Sequence, residues 1–348
     1  MKFLDLFAGI GGFRMGMEAA GHECIGFCEI DKFARKSYKV IYNTKGEIEL
    51  HDITTVTDES IRGIGTVDII CGGFPCQAFS TAGRRRGFED TRGTLFFEIA
   101  RFASILRPKY LFLENVKGLL NHKNGATFEI ILAALDELGY DAEWQVLNSK
   151  DFGVPQNRER VFIIGHLREG STRRIFPISG ENQSTSNQSV IKIGNINPSG
   201  NGMNGEVYQA DGLAPTLTTN KGEGQKIAVK SNTMKQFGVL QPNFNQNGVV
   251  YEGGGLGPKI IQRGHGYNLG GVHEIAPTLT SNSYHENNHL SDGFIIRKLT
   301  PRECWRLQGF PDWAFESAQE VNSNSQLYKQ AGNSVTVNVI EAISKKFE

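Results

Sequence analysis

Phe3-Leu-Asp-Leu-Phe7-Ala-Gly9-Ile-Gly11-Gly12-Phe13 is the stretch on which the fold turns. An apolar run of strand length enters a glycine-rich turn, and the turn opens into Phe13 to Ala20, where apolar residues recur at helical spacing. The same alternation continues outward. Cys24 to Glu29, Val67 to Cys71, Tyr110 to Leu113 and Val161 to Ile164 read as buried strands. Asp31 to Ile41, Thr94 to Leu106 and Ala126 to Leu138 read as the helices between them. Strands alternating with crossover helices predict an α/β doubly wound sheet, whose ligands bind at the carboxyl ends of the strands.

Composition bounds the function. The 348 residues carry 37 basic and 37 acidic side chains, so bulk positive charge cannot hold a polyanion and any nucleic-acid contact must be local. The 5 cysteines contain no Cys-x-x-Cys pair; their number and spacing match neither a disulfide framework nor a zinc site, so no metal is expected and a reducing compartment is. No apolar run reaches membrane-spanning length, and the N-terminus lacks a secretory pattern. A cytoplasmic chain with no membrane partner is the expectation.

Residues 1–169 hold the α/β pattern and are expected to form the catalytic and cofactor-binding domain. Residues 170–296 open with the polar tract Ser179 to Ser189 and continue rich in Gly, Asn and Thr, which predicts a loop-rich β lobe. Within that lobe Leu213-Ala-Pro-Thr-Leu-Thr-Thr-Asn220 recurs as Ile275-Ala-Pro-Thr-Leu-Thr-Ser-Asn282, two copies of one small unit. Residues 297–348 return to helix. Thr300 and Pro301 mark a helix start, and a last helix from about Val335 to Phe347 is expected to pack back on the first domain.

Gly9, Gly11 and Gly12 would let a nucleotide approach the backbone at a helix N-terminus. A pyrophosphate-binding fingerprint needs a third glycine where this chain has Arg14, so that form fails. Glu29, at the tip of the second strand, is placed to accept from ribose hydroxyls. Asp52 could accept from an adenine amino group while Ile53 covers the ring. An adenosine cofactor without pyrophosphate, such as S-adenosylmethionine, fits better than NAD; a tight structural turn with capping acids is the alternative. After the fourth strand, Gly72-Gly-Phe-Pro-Cys76 puts a thiol at the carboxyl edge of the sheet. A thiol is only partly ionised at neutral pH, so a nucleophilic Cys76 needs local activation. Cys24, Cys28, Cys71 and Cys304 read as inert and buried.

Together, Asp5 to Gly12, Gly72-Gly-Phe-Pro-Cys-Gln77, Glu114-Asn-Val116, Gln156-Asn-Arg-Glu-Arg160 and Gly332-Asn-Ser-Val335 resemble, in order, the motif set of the DNA (cytosine-5) methyltransferases, especially the bacterial and phage restriction-modification type. The resemblance spans nearly the whole chain except about 170 to 296, which in that family is the variable target-recognition lobe. It implies a Rossmann-like S-adenosylmethionine-dependent methyltransferase fold. It also implies a reaction in which Cys76 adds to carbon 6 of a flipped-out cytosine, so that carbon 5 accepts a methyl group. Glu114 would protonate or hydrogen bond N3, Arg160 would reach O2, and Arg158 would support the site. Phe7, Ile30, Pro75, Asn333 and Ser334 join the cofactor-binding set by the same resemblance.

The loop from Gln77 to Arg92 has a lid's composition. Gln77 and Ser80, from the motif, together with Arg84, Arg85, Arg86 and Arg92, are the expected DNA contacts. The implied partner is double-stranded DNA, bound by a monomer, with a cognate restriction endonuclease as a further possible partner. The duplicated unit would read one composite site, read two separate sites, or serve in its first copy as scaffold. RNA cytosine methylation, a DNA-binding regulator on an inactive scaffold and a nicotinamide oxidoreductase are the competing readings. Cys76, Glu114 and both arginines weigh against the regulator, and Arg14 against the oxidoreductase.

Overall fold

The computed structural model describes residues 1–75, 95–170, 173–180, 189–195, 205–210, 212–217, 225–230, 259–262, 271–273, 288–291 and 294–348. The chain divides into two units. The larger comprises Met1–Gln188, Ala214–Gly222 and Pro301–Glu348; the smaller comprises Ser189–Leu213 and Glu223–Thr300.

The larger unit is built on a seven-stranded sheet of order β3-β2-β1-β4-β5-β7-β6. Its strands are β1 (Lys2–Leu6), β2 (Glu23–Cys28), β3 (Ile48–Leu50), β4 (Ile69–Gly73), β5 (Tyr110–Val116), β6 (Tyr140–Asn148) and β7 (Glu159–Leu167). Neighbours from β3 through β5 are parallel, while β7 runs antiparallel to both β5 and β6. Helices α1 (Gly12–Ala19), α2 (Lys32–Ile41), α3 (Asp58–Arg62), α4 (Leu95–Leu106) and α5 (Ala126–Glu137) connect the strands. Central strands are buried on both faces, which is why they read as unbroken apolar runs. Leu4, Leu6, Leu111, Leu113 and Ile163 join one core cluster with Phe96, Phe102 and Ile131. Phe3, Tyr110, Phe112, Phe162 and Ile164 join the other.

That second cluster is completed by the C-terminus. After α6 (Pro301–Leu307), α7 (Asp312–Val321) and α8 (Asn324–Asn333), the last helix α9 (Val337–Ser344) contributes Val339, Ile340 and Ile343 to it, with Phe347 beyond. Gly16 makes this docking possible, because a Cβ there would lie 2.7 Å from Ile340 Cβ. The order of strands reverses direction between β1 and β4, so the crevice at their carboxyl ends is the expected ligand site.

The smaller unit contains a four-stranded sheet, β14-β10-β9-β8, formed by β8 (Lys192–Asn195), β9 (Glu206–Gln209), β10 (Lys226–Lys230) and β14 (Phe294–Lys298). In it β9 and β10 are parallel and the other pairs antiparallel. A three-stranded antiparallel sheet places β11 (Lys259–Gln262) between β12 (Gly271–His273) and β13 (Asn288–Ser291). Among the described residues no helix is long and apolar enough to cross a membrane.

Candidate active site

At the carboxyl end of β1 the chain turns sharply. Phe7 has φ 57°, a left-handed conformation uncommon for a non-glycine residue, and Gly9 and Gly11 follow at 57° and 80°. Gly11 caps α1 without any side-chain hydrogen bond, leaving the helix N-terminus open. The Gly9 N–H donates to Glu29 Oε2 at 2.8 Å and the Asp31 N–H donates to Oε1 at 2.7 Å. Each oxygen thus takes one backbone donor, which fixes the plane of the carboxylate and leaves lone pairs for a diol. Burial raises the Glu29 pKa, and the two N–H bonds oppose that shift.

Ile30, the next residue, is 67% exposed although it is large and apolar. Ile53, expected to cover an adenine ring, is instead buried in the core cluster with Leu4 and Leu6, so Ile30 is the isoleucine that presents apolar surface. One oxygen of Asp52 is engaged locally: Oδ1 accepts from the Thr54 N–H and hydroxyl, which holds its pKa below the usual carboxylate range. Gly12 lies against the C-terminal motif, where a Cβ would sit 2.7 Å from Ser334 Oγ and 2.8 Å from Val335 Cγ2. An uncapped helix start, an oriented carboxylate and an exposed apolar side chain beside it fit an adenosyl group.

The second cluster lies at the ends of β4, β5 and β7. Gly73 pairs in register with Glu114, and a Cβ on Gly73 would come within 3.0 Å of Glu114 Oε2, so the glycine leaves room for the carboxyl. Glu114 is 7% exposed and its Oε1 meets Arg160 Nε at 3.0 Å. Burial pushes the Glu114 pKa up against the pull of Arg160 and Arg158. Asn115 donates from Nδ2 to the Phe74 carbonyl at 2.8 Å, tying the segment that leads to Pro75 to the end of β5. Cys76 itself, with Gln77, Ser80, Arg84, Arg85, Arg86 and Arg92, lies outside the described residues, as do the second repeat copy and the end of the first.

Arg158 is 3% exposed. Its Nη2 donates to the Ser334 carbonyl at 2.7 Å, so the Gly332-Asn-Ser-Val335 motif wraps an arginine, while Nε and Nη1 have no partner among the described residues. Burial and the Arg160 charge both push its pKa down. Sequence reading missed the buried polar chain behind it. Gln308 Nε2 donates to Gln156 Oε1 at 3.2 Å, Thr336 Oγ1 donates to Gln308 Oε1 at 3.2 Å, and Thr336 and Ser149 share a 2.8 Å hydroxyl contact. Asn148 Oδ1 accepts the Arg158 N–H at 3.0 Å. Gln156 belongs to a recognised motif, but no local pattern marks the others, because each partner is distant in sequence. Within the same unit, Ala214 of the first repeat copy bridges Gln156, accepts from the Asn157 N–H at 2.8 Å, and is followed by Thr216, whose hydroxyl donates to the Asn157 carbonyl.

The four remaining cysteines are free and buried as expected. Burial raises the thiol pKa of Cys24, Cys28 and Cys304 to about 12 and that of Cys71 well above its ordinary value, which leaves them unreactive.

Comparison with known proteins agrees with this arrangement. A family model described as C-5 cytosine-specific DNA methylase matches residues 1–348. The type II methyltransferase M.HpaII of Haemophilus parainfluenzae is 39% identical over 350 residues, covering 99% of this chain and 88% of the relative. M.HhaI of Haemophilus parahaemolyticus is 34% identical over 354 residues, with 99% and 93% covered. The orphan methyltransferase M.SPRI of Bacillus phage SPR is 36% identical over 433 residues, with 99% and 97% covered. Among solved structures, the Schizosaccharomyces pombe Dnmt2 methyltransferase superposes with a TM-score of 0.62 at 17% identity over 98% of this chain and 96% of that one, a likeness of fold. The chain belongs to the C-5 cytosine-specific DNA methylase family and is a DNA cytosine-5 methyltransferase.

Proposed function

We propose that this enzyme uses Cys76 as nucleophile and Glu114 as acid on a cytosine flipped out of duplex DNA, with S-adenosylmethionine as methyl donor. The observation that carries the reading is the buried Glu114–Arg160 pair set opposite Gly73, three residues before Cys76. Carbon 5 of cytosine is a poor nucleophile. Addition of the Cys76 thiolate to carbon 6, with N3 protonated by Glu114, makes carbon 5 the nucleophilic end of an enamine. S-adenosylmethionine supplies, when bound, the sulfonium methyl that this carbon takes up. Loss of the carbon 5 proton, expulsion of the thiolate and return of the N3 proton to Glu114 then give 5-methylcytosine.

Burial raises the Glu114 pKa, which favours the protonated form that a proton donor needs. Arg160 orients the carboxyl and offers its remaining donors to cytosine O2, while Arg158 adds positive charge that favours the thiolate. Asn115 holds Phe74, and through Pro75 the base of the loop that bears the nucleophile. Glu29 would bind the ribose diol, and Ile30 one face of the adenine, with Phe7, Gly9, Gly11, Gly12, Asp52, Pro75, Asn333 and Ser334 around them.

Gln77, Ser80, Arg84, Arg85, Arg86 and Arg92 would contact the strand from which the base is extruded, a step costing a few kcal/mol. With no net charge on the chain, these local cations and the recognition lobe, about residues 170–296, carry DNA affinity. The protein would act as a cytoplasmic monomer that protects its target sites from a cognate restriction endonuclease. The test offers labelled S-adenosylmethionine with duplex DNA or tRNA. Label appearing as 5-methylcytosine in DNA is expected, and label confined to tRNA would reject the assignment.

A further inference from the structure

Arg14 stands where a dinucleotide fingerprint would have its third glycine, and the structure gives it a task the methyl-transfer chemistry does not absorb. It is 5% exposed, and its two terminal nitrogens grip Glu47 at 2.7 and 2.8 Å while Nε meets Glu18 at 2.9 Å. The guanidinium held this way lies 4.5 Å from the centre of the Tyr42 ring and 5.4 Å from that of Tyr38. Tyr38 stacks on Phe27 of β2 at 4.2 Å, and the rings of Tyr38 and Tyr42 are 4.8 Å apart.

This column ends on the glycine turn. The Tyr42 hydroxyl donates to the Gly11 carbonyl at 2.7 Å, and a Cβ on Gly11 would lie 2.3 Å from the Tyr42 ring. Gly11 therefore rests directly on tyrosine, in a left-handed conformation that a free glycine turn holds only weakly. Among the described residues no side chain caps the start of α1.

We propose that Arg14 and Tyr42 are positioning residues for cofactor binding: Arg14 clamps the Tyr42 ring, and Tyr42 holds the Gly9–Gly12 turn in the conformation that receives the cofactor. The inference rests on the assignment of that turn to S-adenosylmethionine. Its consequence is specific. Loosening the brace makes the free protein sample other turn conformations, so cofactor affinity falls by the fraction of time the receiving conformation is lost, while the cytosine side is untouched. Arg14 and Tyr42 also line a surface depression of about 370 Å³, which Trp313, 53% exposed, lines too.

The experiment titrates S-adenosylhomocysteine into full-length protein by calorimetry, without DNA, for wild type, Tyr42→Phe and Arg14→Lys. Tyr42→Phe keeps the ring and deletes one hydrogen bond, so binding about fivefold weaker is expected. Arg14→Lys keeps the charge but loses the fork that grips Glu47 over the ring, and weakening of about threefold is expected. In turnover both should raise the KM for S-adenosylmethionine, with kcat at saturating cofactor and the KM for DNA within about twofold of wild type. Unchanged affinity in both variants, or a fall in kcat with KM unchanged, overturns the brace. Failure of wild type to bind S-adenosylhomocysteine would instead overturn the cofactor assignment beneath it.

Discussion

Arg14 and Arg158 are almost equally buried, at 5% and 3% exposure, yet they are partnered in opposite ways. Arg14, behind the cofactor turn, meets two carboxylates and two aromatic rings. Arg158, behind Glu114, meets two backbone carbonyls at one nitrogen and leaves two nitrogens without a partner among the described residues. A buried guanidinium with a carboxylate partner at each nitrogen is a fixed strut. One with donors left over sits at a desolvation cost that only a neighbouring charge or a bound substrate offsets. The difference separates scaffold from chemistry within one sheet: the β1–α1 side is held rigid to receive a ligand, and the β5–β7 side is kept electrostatically tense beside an acid.

Substitutions on the two sides should therefore fail differently. The largest effect is expected on the tense side. Glu114→Gln keeps the shape and a contact to Arg160 but removes the proton donor, and kcat should drop on the order of a hundredfold or more, with the protein still folded and S-adenosylhomocysteine still bound. A Gln variant with kcat near wild type would remove Glu114 from the reaction.

Next comes the strut. Arg14→Met leaves Glu47 and Glu18 without their partner, and unfolding stability should fall by about 3 kcal/mol in denaturant titrations. Arg158→Met removes a charge that was poorly paired, so its cost should stay within about 1 kcal/mol. Equal losses would erase the distinction between the two arginines.

Asp5 sharpens the Arg14 side. Wholly buried, with the Tyr38 hydroxyl and the Cys71 thiol as its hydrogen-bond partners, it has a pKa pushed up to about 7 by burial. The folded protein thus holds a proton that the unfolded chain gives up near pH 4. Stability linked to Asp5 is fully present below that point and is lost as pH rises through about 7. Asp5→Asn should flatten the decline in stability between pH 5 and 8 by on the order of 2 kcal/mol. Parallel profiles for the two proteins would refute this.

The smallest effect is a shift of profile. Glu114 donates only while protonated, so kcat falls as pH rises through its pKa, and the nearby arginines hold that pKa down. Arg158→Met should move the alkaline limb of kcat upward by about one pH unit, roughly 1.4 kcal/mol of interaction. A limb that stays in place would make Arg158 a structural residue only.

Much of this was legible in the sequence because the central strands are buried on both faces and read as apolar runs. Tyr140–Asn148 escaped notice because it is the edge strand and alternates polar residues such as Asp141, Glu143 and Gln145 with apolar ones. Ile48–Leu50 is too short to register. Glu114, Arg158 and Arg160 stood out through motif spacing, and the sheet brings them together. Arg14 was visible only as a missing glycine, because what it does depends on Glu47, 33 residues away, and on a tyrosine ring from the end of α2. The burial of Ile53 was not legible because an apolar residue beside an acid reads alike whether it faces a ligand or the core.

The central claim is nucleophilic catalysis by Cys76, and the most direct measurement is methyl transfer from labelled S-adenosylmethionine to duplex DNA by wild type and Cys76→Ala at matched, folded concentrations. The account predicts 5-methylcytosine with wild type and none with Cys76→Ala, which should still bind S-adenosylhomocysteine as wild type does. Methyl transfer by Cys76→Ala at a rate near wild type would contradict it.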